Sequence, residues 1–487
     1  MAETRTPEAL GGEARADGAL LALAALLIAF VAGRLMFWHI LPIYDDAFIT
    51  WRYSMNLLEL GYFNYDLGDP VLGTTAPLFG LIVAGLSTVL GPPEGFVPLL
   101  NIGIDVAICL VVHFFLLKRD MLQTAIFVCL FGVSPIAGRI AVGGMEANLF
   151  ALVVLSAIVM VSRLDPVKSG VLAALGYFLR PEGAISLMIC GLFSLVQGIR
   201  FTLMFSLPAL AVLIVGFGSI YLYFDALLPQ SMIAKSEMEH RSHLKTVTDL
   251  FFPDKFSMLL LPIALAGVAF ARQAPKAVWL FFGWCAVYAS LYAIAAPKVW
   301  SWYCLPIQIF LFLGASFALR RVLDLPFLPQ GLIRRFLPFA AAGAVVVVLA
   351  GATARFGEDR ITGNVYSGIA AFCADLRDPD IAIVADDIGA VGYHCRPARV
   401  LDTAGLVWPE AKDYRDDIEI VEQLLPDHVV FASFRWKVEG LLESRVAERY
   451  SFTSRLDKSG PPAADYDLDA MDDRWKQEYF IFSKAAD

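Results

Sequence analysis

Charge is what this sequence has little of. Only 17% of its 487 residues are Asp, Glu, Lys or Arg, where a soluble domain carries about a quarter, and 58% are hydrophobic. The shortage is organised into runs: Ala19–Phe37 (with Arg34 near its far end), Thr202–Tyr223, Ala277–Ala296 and Phe336–Ala350. One helical crossing of a bilayer takes about 20 residues, so these runs exclude a soluble chain, and a single signal peptide does not explain so many. Other things are missing too. There is no GxxxxGK[ST] phosphate loop, no HExxH and no GxSxG, which removes the nucleotide-loop, zinc-peptidase and serine-hydrolase signatures. The six histidines form no ligand cluster, the seven cysteines contain no CxxC or zinc spacing, and nothing points to nucleic acid. No internal repeat and no low-complexity tract is present.

What charge there is punctuates the chain. Lys118-Arg119, Arg163 with Lys168, Arg200, Arg272 with Lys276, and Arg320 through Arg335 mark cytoplasmic turns under the positive-inside rule. Spans near 121–138 and 147–162 then leave Gly143-Gly144-Met145-Glu146 outside. Spans near 202–223 and 257–271 leave 224–256 outside, and spans near 277–296 and 302–318 leave Lys298-Val-Trp-Ser-Trp outside. Segments 169–179 and 183–197 are too short to be ordinary spans and read as helices meeting at an outer turn, Arg180-Pro181-Glu182-Gly183. Segment 74–90 reads as re-entrant or peripheral, with 97–117 as the second span. The expected fold class is mainly α, with about 11 to 13 spans, the N-terminus inside and the C-terminus outside.

The expected domains are a disordered cytoplasmic stretch 1–18, a membrane domain 19–353 with a first extracytoplasmic loop 39–73, and a tail 354–487. The net charge of −9 lies largely in that tail. Short apolar runs at Ile381–Ala385, His428–Ala432 and Glu478–Phe482, with helix-like Val438–Tyr450, suggest a small α/β domain there. Cys109, Cys129, Cys190, Cys285 and Cys304 sit in or beside apolar runs as packing residues. Cys373 and Cys395 lie in the tail and could pair if it faces an oxidising compartment.

Chemistry is concentrated on the outer side. Asp45 and Asp46 follow the first span and open a helical pattern through Ile49, Tyr53, Asn56 and Leu57. Acids at a helix start can be caps, but two carboxylates at a membrane boundary invite a functional reading. They could supply a general base for a hydroxyl or hold a divalent cation. Glu146, Arg180, Glu182, Lys235, Trp302 and Tyr303 fall on the same side, with Lys298 and Trp300 beside them. Arg180 and Glu182 could simply neutralise each other, and the tryptophans could be interface anchors. Together, carboxylates and aromatic rings suit a sugar, and Arg and Lys suit a phosphate.

At these residues the chain resembles the GT-C glycosyltransferases that use polyprenyl-phosphate sugars, in particular the branch of mycobacterial terminal arabinofuranosyltransferases. Asp45-Asp-Ala-Phe-Ile-Thr-Trp-Arg-Tyr-Ser-Met-Asn56 resembles that branch's DDAYIxxRYxxN. Gly144-Met-Glu-Ala-Asn-Leu-Phe resembles GMET-LF, Leu179-Arg-Pro-Glu-Gly resembles TRPEG, and Leu228-Pro-Gln-Ser-Met-Ile-Ala-Lys resembles LPNTYYAK. Asp387-Ile-Gly-Ala-Val-Gly-Tyr and Asp402-Thr-Ala-Gly-Leu resemble DIGAIGY and DLAGL. Asn64–Pro77 follows the branch's N-PGE-VEGYTNP stretch but departs from it at Asp69, Leu72 and Thr74. The matches keep their order to about residue 406.

The resemblance implies a GT-C membrane module with an outward cavity in a bacterial inner membrane. It implies a polyprenyl-phosphate sugar donor, a cell-envelope glycan or glycolipid acceptor, and an inverting reaction with no required cofactor. Asp45 is the implied base and Asp46 its support, or a partner in holding a cation. Arg52, Tyr53, Glu146, Arg180, Glu182, Lys235, Trp302 and Tyr303 are the expected donor and acceptor contacts. Two rivals share the composition: a lipid-linked sugar transporter and a non-catalytic glycan-binding scaffold. A transporter commonly carries repeated halves, which this chain lacks.

Overall fold

The computed structural model describes residues 7–68, 70–237, 241–356, 363–432, 435–456 and 478–485. Asp69, one of the departures noted above, lies outside them. The chain folds as a helical bundle with a small α/β domain at its C-terminal end. The bundle helices are α1 (Pro7–Ile40), α2 (Asp45–Glu59), α3 (Pro77–Leu90), α4 (Pro93–Val111), α5 (Met121–Val133), α6 (Pro135–Val142), α7 (Ala147–Ser162) and α8 (Pro166–Leu179). They continue as α9 (Ala184–Gln197), α10 (Ile199–Phe224), α11 (Gln230–Glu237), α12 (His243–Phe251), α13 (Lys255–Phe270), α14 (Lys276–Ala295), α15 (Leu305–Leu323) and α16 (Gln330–Phe356).

Among the described residues six helices are long and apolar enough to cross a membrane, or seven if the bent pair α5–α6 counts as one span. Further apolar helices of 10–17 residues, α3, α7, α8 and α9 among them, fill the bundle. This is a multi-pass membrane protein. Two local features differ from the sequence expectation, and a third, segment 74–90, agrees with it. The run 121–138 is broken and bent by 70° because Ser134 accepts from the Ala137 amide and Pro135 cannot continue the preceding helix. Segment 74–90 yields α3, 14 residues and too short for a full crossing. Residues 7–18, expected to be disordered, continue α1 toward the N-terminus, and residues 1–6 lie outside the described set.

Polar residues inside the bundle are paired. Arg34 is fully buried, donates from Nε to Asp105 Oδ2 at 2.9 Å, and lies between the rings of Phe30 and Phe131. Asp105 Oδ1 accepts from Asn148 at 2.6 Å, so one carboxylate ties α1 and α4 to α7. Where α13 crosses α15, a Cβ on Gly267 would stand 1.8 Å from the Gly314 carbonyl, a small-residue contact of the kind membrane helices use to approach closely.

The C-terminal domain begins with α17 (Gly363–Phe372). A five-stranded sheet follows in the order β2-β1-β3-β5-β4, with β1 Ala382–Ala385, β2 Arg399–Asp402, β3 His428–Ala432, β4 Tyr450–Leu456 and β5 Tyr479–Lys484. β1 pairs in parallel with β2 and β3, and β5 runs antiparallel to both β3 and β4. Helices α18 (Ile388–His394), α19 (Asp417–Leu424) and α20 (Arg435–Leu442) pack on it. The helix expected across Val438–Tyr450 ends at Leu442, and Tyr450 opens β4. A disulfide joins Cys373 to Cys395, fastening the end of α17 to the end of α18. One face of the sheet (Ile383, Val430, Ile481) continues the core of the bundle, whereas Val384, Val429, Phe431 and Phe482 form a separate small core.

Candidate active site

Helix α2 lies between the bundle and the C-terminal domain, and its first turn carries Asp45 and Asp46. Consecutive helical residues point about 100° apart, so neighbouring carboxylates meet different surroundings. Asp45 turns to the C-terminal domain. Its Oδ2 accepts from the Gly389 amide at 2.7 Å and its Oδ1 from the Ala390 amide at 2.8 Å. A Cβ on Gly389 would stand 1.9 Å from the Asp45 carbonyl oxygen, so only glycine permits this approach. Asp387 also hydrogen-bonds Asp45, and the Tyr479 hydroxyl donates to Asp387 Oδ2 at 3.0 Å. Burial, then the Asp45 charge, push the Asp387 carboxyl well up. Burial raises Asp45 to about 6, against the pull of the two amides.

Asp46 turns the other way, into a polar cavity lined by Thr74, Thr75, Glu146, Ser231, Lys235, Trp302, Tyr303 and Leu406, among others. Its Oδ2 is 3.8 Å from Lys235 Nζ, and both side chains are about one-third exposed (28% and 31%). Burial works against the Lys235 charge, but Tyr303, Asp46 and Glu146 outweigh it and raise the ammonium above its ordinary value. Glu146 reaches the cavity because Gly144 turns there with φ +82°, packed against Trp51. Arg180 stands behind, bonded to Glu146 Oε1 at 2.7 Å and Glu182 Oε1 at 3.0 Å, with its guanidinium 4.4 Å from the Tyr303 ring centre. Tyr292 completes the cluster with a 2.5 Å bond to Glu182.

Of the residues singled out in the sequence, Asp46, Glu146, Lys235, Trp302 and Tyr303 line the cavity. Arg180 and Glu182 back it. Arg52 and Tyr53, expected as ligand contacts, do not reach it, because both are buried in structural bonds. Arg52 donates to the Tyr65, Gly392 and Ala398 carbonyls at 2.6, 2.8 and 2.8 Å and pairs with Asp66 at 2.6 Å, holding the first loop to the C-terminal domain. The Tyr53 hydroxyl donates to Val71 O and accepts from Gly73 N. Nor do Asp45 and Asp46 converge on one point as a cation pair would: one faces backbone amides and the other an ammonium. Among the described residues no group of three or more His, Cys, Asp or Glu side chains is arranged to hold a metal ion.

Thr75 lines both this cavity and a small neighbouring pocket between Leu72, Pro181 and Pro229, and that pocket shares Pro77, Phe178 and Ile220 with a groove of about 550 Å³ between α3, α8 and α10. That groove is lined almost wholly by aliphatic and aromatic side chains. Leu406 and Ser231 were missed as lining residues by the sequence reading, whereas Thr74, marked there as a departure from the family stretch, does line the cavity. The DLAGL-like resemblance at Asp402–Leu406 was the only signal for Leu406.

No family model matches the chain, and no curated protein sequence matches it. Solved structures do. ArnT from Cupriavidus metallidurans in the apo state matches with a TM-score of 0.59 at 12% identity, over 96% of this chain and 98% of that one. The same protein bound to undecaprenyl phosphate matches with a TM-score of 0.60, again at 12% identity and the same coverage. The chain therefore shares the fold of these ArnT structures over nearly its whole length.

Proposed function

We propose that this protein is a bacterial inner-membrane glycosyltransferase that moves a sugar from polyprenyl phosphate to a hydroxyl of a cell-envelope glycan or glycolipid, at a site facing the periplasm. The observation that carries the reading is the adjacency of the Asp46–Lys235 cavity and the apolar groove: a small pocket that shares Thr75 with the one and Pro77, Phe178 and Ile220 with the other lies between a charged site and a trough suited to an isoprenoid chain. A neighbour of the same fold that binds undecaprenyl phosphate supports the donor class. Arabinofuranose is the sugar the sequence motifs suggest.

In this reading the prenyl chain lies along α3, α8 and α10, and the phosphate comes by way of the small pocket toward Lys235. Asp46 removes the proton of the acceptor hydroxyl, and that oxygen forms a bond to the anomeric carbon from the side opposite the phosphate. The bond between that carbon and the phosphate oxygen breaks with its electron pair, and polyprenyl phosphate leaves. The Lys235 ammonium stabilises the charge that builds on it. Asp45, its oxygens occupied by Gly389 and Ala390, is a positioning residue, so the role of base passes from Asp45 to Asp46.

The test uses the purified full-length protein in detergent, labelled polyprenyl-phosphate pentose or hexose, and envelope glycans extracted from cells lacking the gene. Label should move to the glycan fraction. Because no sealed membrane is present, transfer also excludes a transporter. Failure to transfer label from any donor would refute the reading in favour of a non-catalytic scaffold.

A further inference from the structure

Leu406 is, among the described residues, the single cavity-lining residue supplied by the C-terminal domain. Its loop is unusually well held. Asp402, fully buried at the end of β2, accepts from the Ala404 and Val407 amides at 2.9 Å each, and also from the Leu406 amide. Gly405 donates to the Asp402 carbonyl at 3.1 Å and turns there with φ +70°. From the bundle side, Gln230 Nε2 donates to the Gly405 carbonyl at 3.1 Å, while the Gln230 amide donates to Leu72 O at 2.7 Å. Gly73 lies so close that a Cβ on it would stand 2.6 Å from Val407 and 3.0 Å from the Leu406 carbonyl. The Leu406 wall is thus anchored from both domains and cannot easily yield.

The cavity it bounds has only about 40 Å³ of free space, far below the roughly 300 Å³ or more of an ordinary ligand pocket. The donor sugar follows its phosphate into this space, so the sugar's bulk must be matched against these walls. We infer that Leu406, fixed by Asp402, is a specificity-determining residue: the C-terminal domain sets the size of the sugar accepted on the polyprenyl-phosphate donor. The inference rests on the donor reading given above.

Binding tests it without an identified acceptor. The full-length protein in nanodiscs is titrated with polyprenyl phosphate alone, polyprenyl-phosphate arabinose and polyprenyl-phosphate glucose, following tryptophan fluorescence. Leu406→Ala should leave the affinity for polyprenyl phosphate within twofold. It should raise the hexose-to-pentose affinity ratio by at least about tenfold, the scale of discrimination that a methylene-sized change in a pocket produces. Leu406→Trp should weaken both sugar-bearing lipids and spare polyprenyl phosphate, whose retained binding shows that each variant is folded. Asp402→Asn should shift the ratio in the same direction as Leu406→Ala through a slackened loop. An unchanged ratio in Leu406→Ala, with polyprenyl phosphate still bound, overturns this inference alone. Absence of polyprenyl phosphate binding by the unaltered protein overturns it together with the donor reading.

Discussion

Replacing each of the two adjacent acids in turn separates their roles. In Asp46→Asn the amide keeps the shape of the side chain and its place beside Lys235, but it cannot take a proton. A positioned general base contributes about 100- to 10,000-fold to rate, so transfer should fall by that factor. Asp46 is partly exposed, and its ion pair with Lys235 at 3.8 Å is loose, so the melting temperature in detergent should stay within a degree or two. Asp45→Asn should behave in the opposite way. The carboxylate gives one oxygen to Gly389 and one to Ala390, and asparagine can accept only one of these bonds. A buried amide left without its partner costs about 1–3 kcal/mol, which falls on the contact between α2 and α18. The melting temperature should drop by several degrees, with a smaller loss of rate that lower temperature or added polyprenyl phosphate partly restores. The assay is single-turnover transfer from labelled donor, paired with thermal unfolding of the same preparations. If Asp46→Asn keeps more than a third of the rate, or if Asp45→Asn abolishes transfer while melting like the unaltered protein, the assignment is wrong and the base is Asp45.

Three further outcomes are expected. The folded-state values of Asp45 and Asp387 both lie above the ordinary carboxylate value, so the native state holds protons that the unfolded chain has released. Stability should therefore fall as pH rises from about 4 through about 6, and continue to fall above that as Asp387 loses its proton; Asp387→Asn should flatten the upper part of a melting-temperature profile from pH 5 to pH 9. Cys373→Ser or reduction should lower stability by about 3 kcal/mol, on the chain-entropy account of a loop this size, with protease sensitivity appearing first around α18. Asp105→Ala should leave the Arg34 charge buried and unpaired at a cost of about 3–5 kcal/mol, measured as lost folded yield, and the double variant Arg34→Met with Asp105→Leu should recover most of it.

The membrane architecture was readable because each span is a local feature. An apolar run of the right length is a helix in lipid whatever its neighbours do, and basic residues mark its ends. The α8–α9 turn at Arg180-Pro181-Glu182-Gly183 was found for the same reason. The break at Ser134 was less legible, since Ser-Pro inside an apolar run carries no hydropathy change. Strands β2 and β4 were missed because neither is an uninterrupted apolar run: Arg399 opens one, and Ser451, Thr453 and Arg455 alternate along the other. In the site, the types of residue were legible and their directions were not. Arg52 looks in sequence like a phosphate ligand; only the fold reveals that its donors are consumed by three carbonyls and Asp66. Leu406 carries no chemical signal at all, and its position at the cavity depends on contacts more than 170 residues apart, such as that of Gln230 with Gly405.

The Asp-Asp pair links these observations. A helix start that touches two bodies can offer a separate carboxylate to each, because its successive side chains diverge. Here Asp45 bonds the domain that roofs the site, and Asp46 faces the space beneath that roof. The bond to α18 also fixes the angle of α2, and so the distance from Asp46 to Lys235. The disulfide from α17 to α18, the Arg52 bonds to Gly392 and Ala398, and the Gln230 bond to Gly405 all join this one contact from different sides. The sheet face that carries Ile383 and Ile481 continues the bundle core instead of ending at a wet boundary. A domain attached in this way is part of the proposed reaction site. Its docking and the reactivity of Asp46 should rise and fall together, which a tethered glycan-binding module would have no physical reason to do.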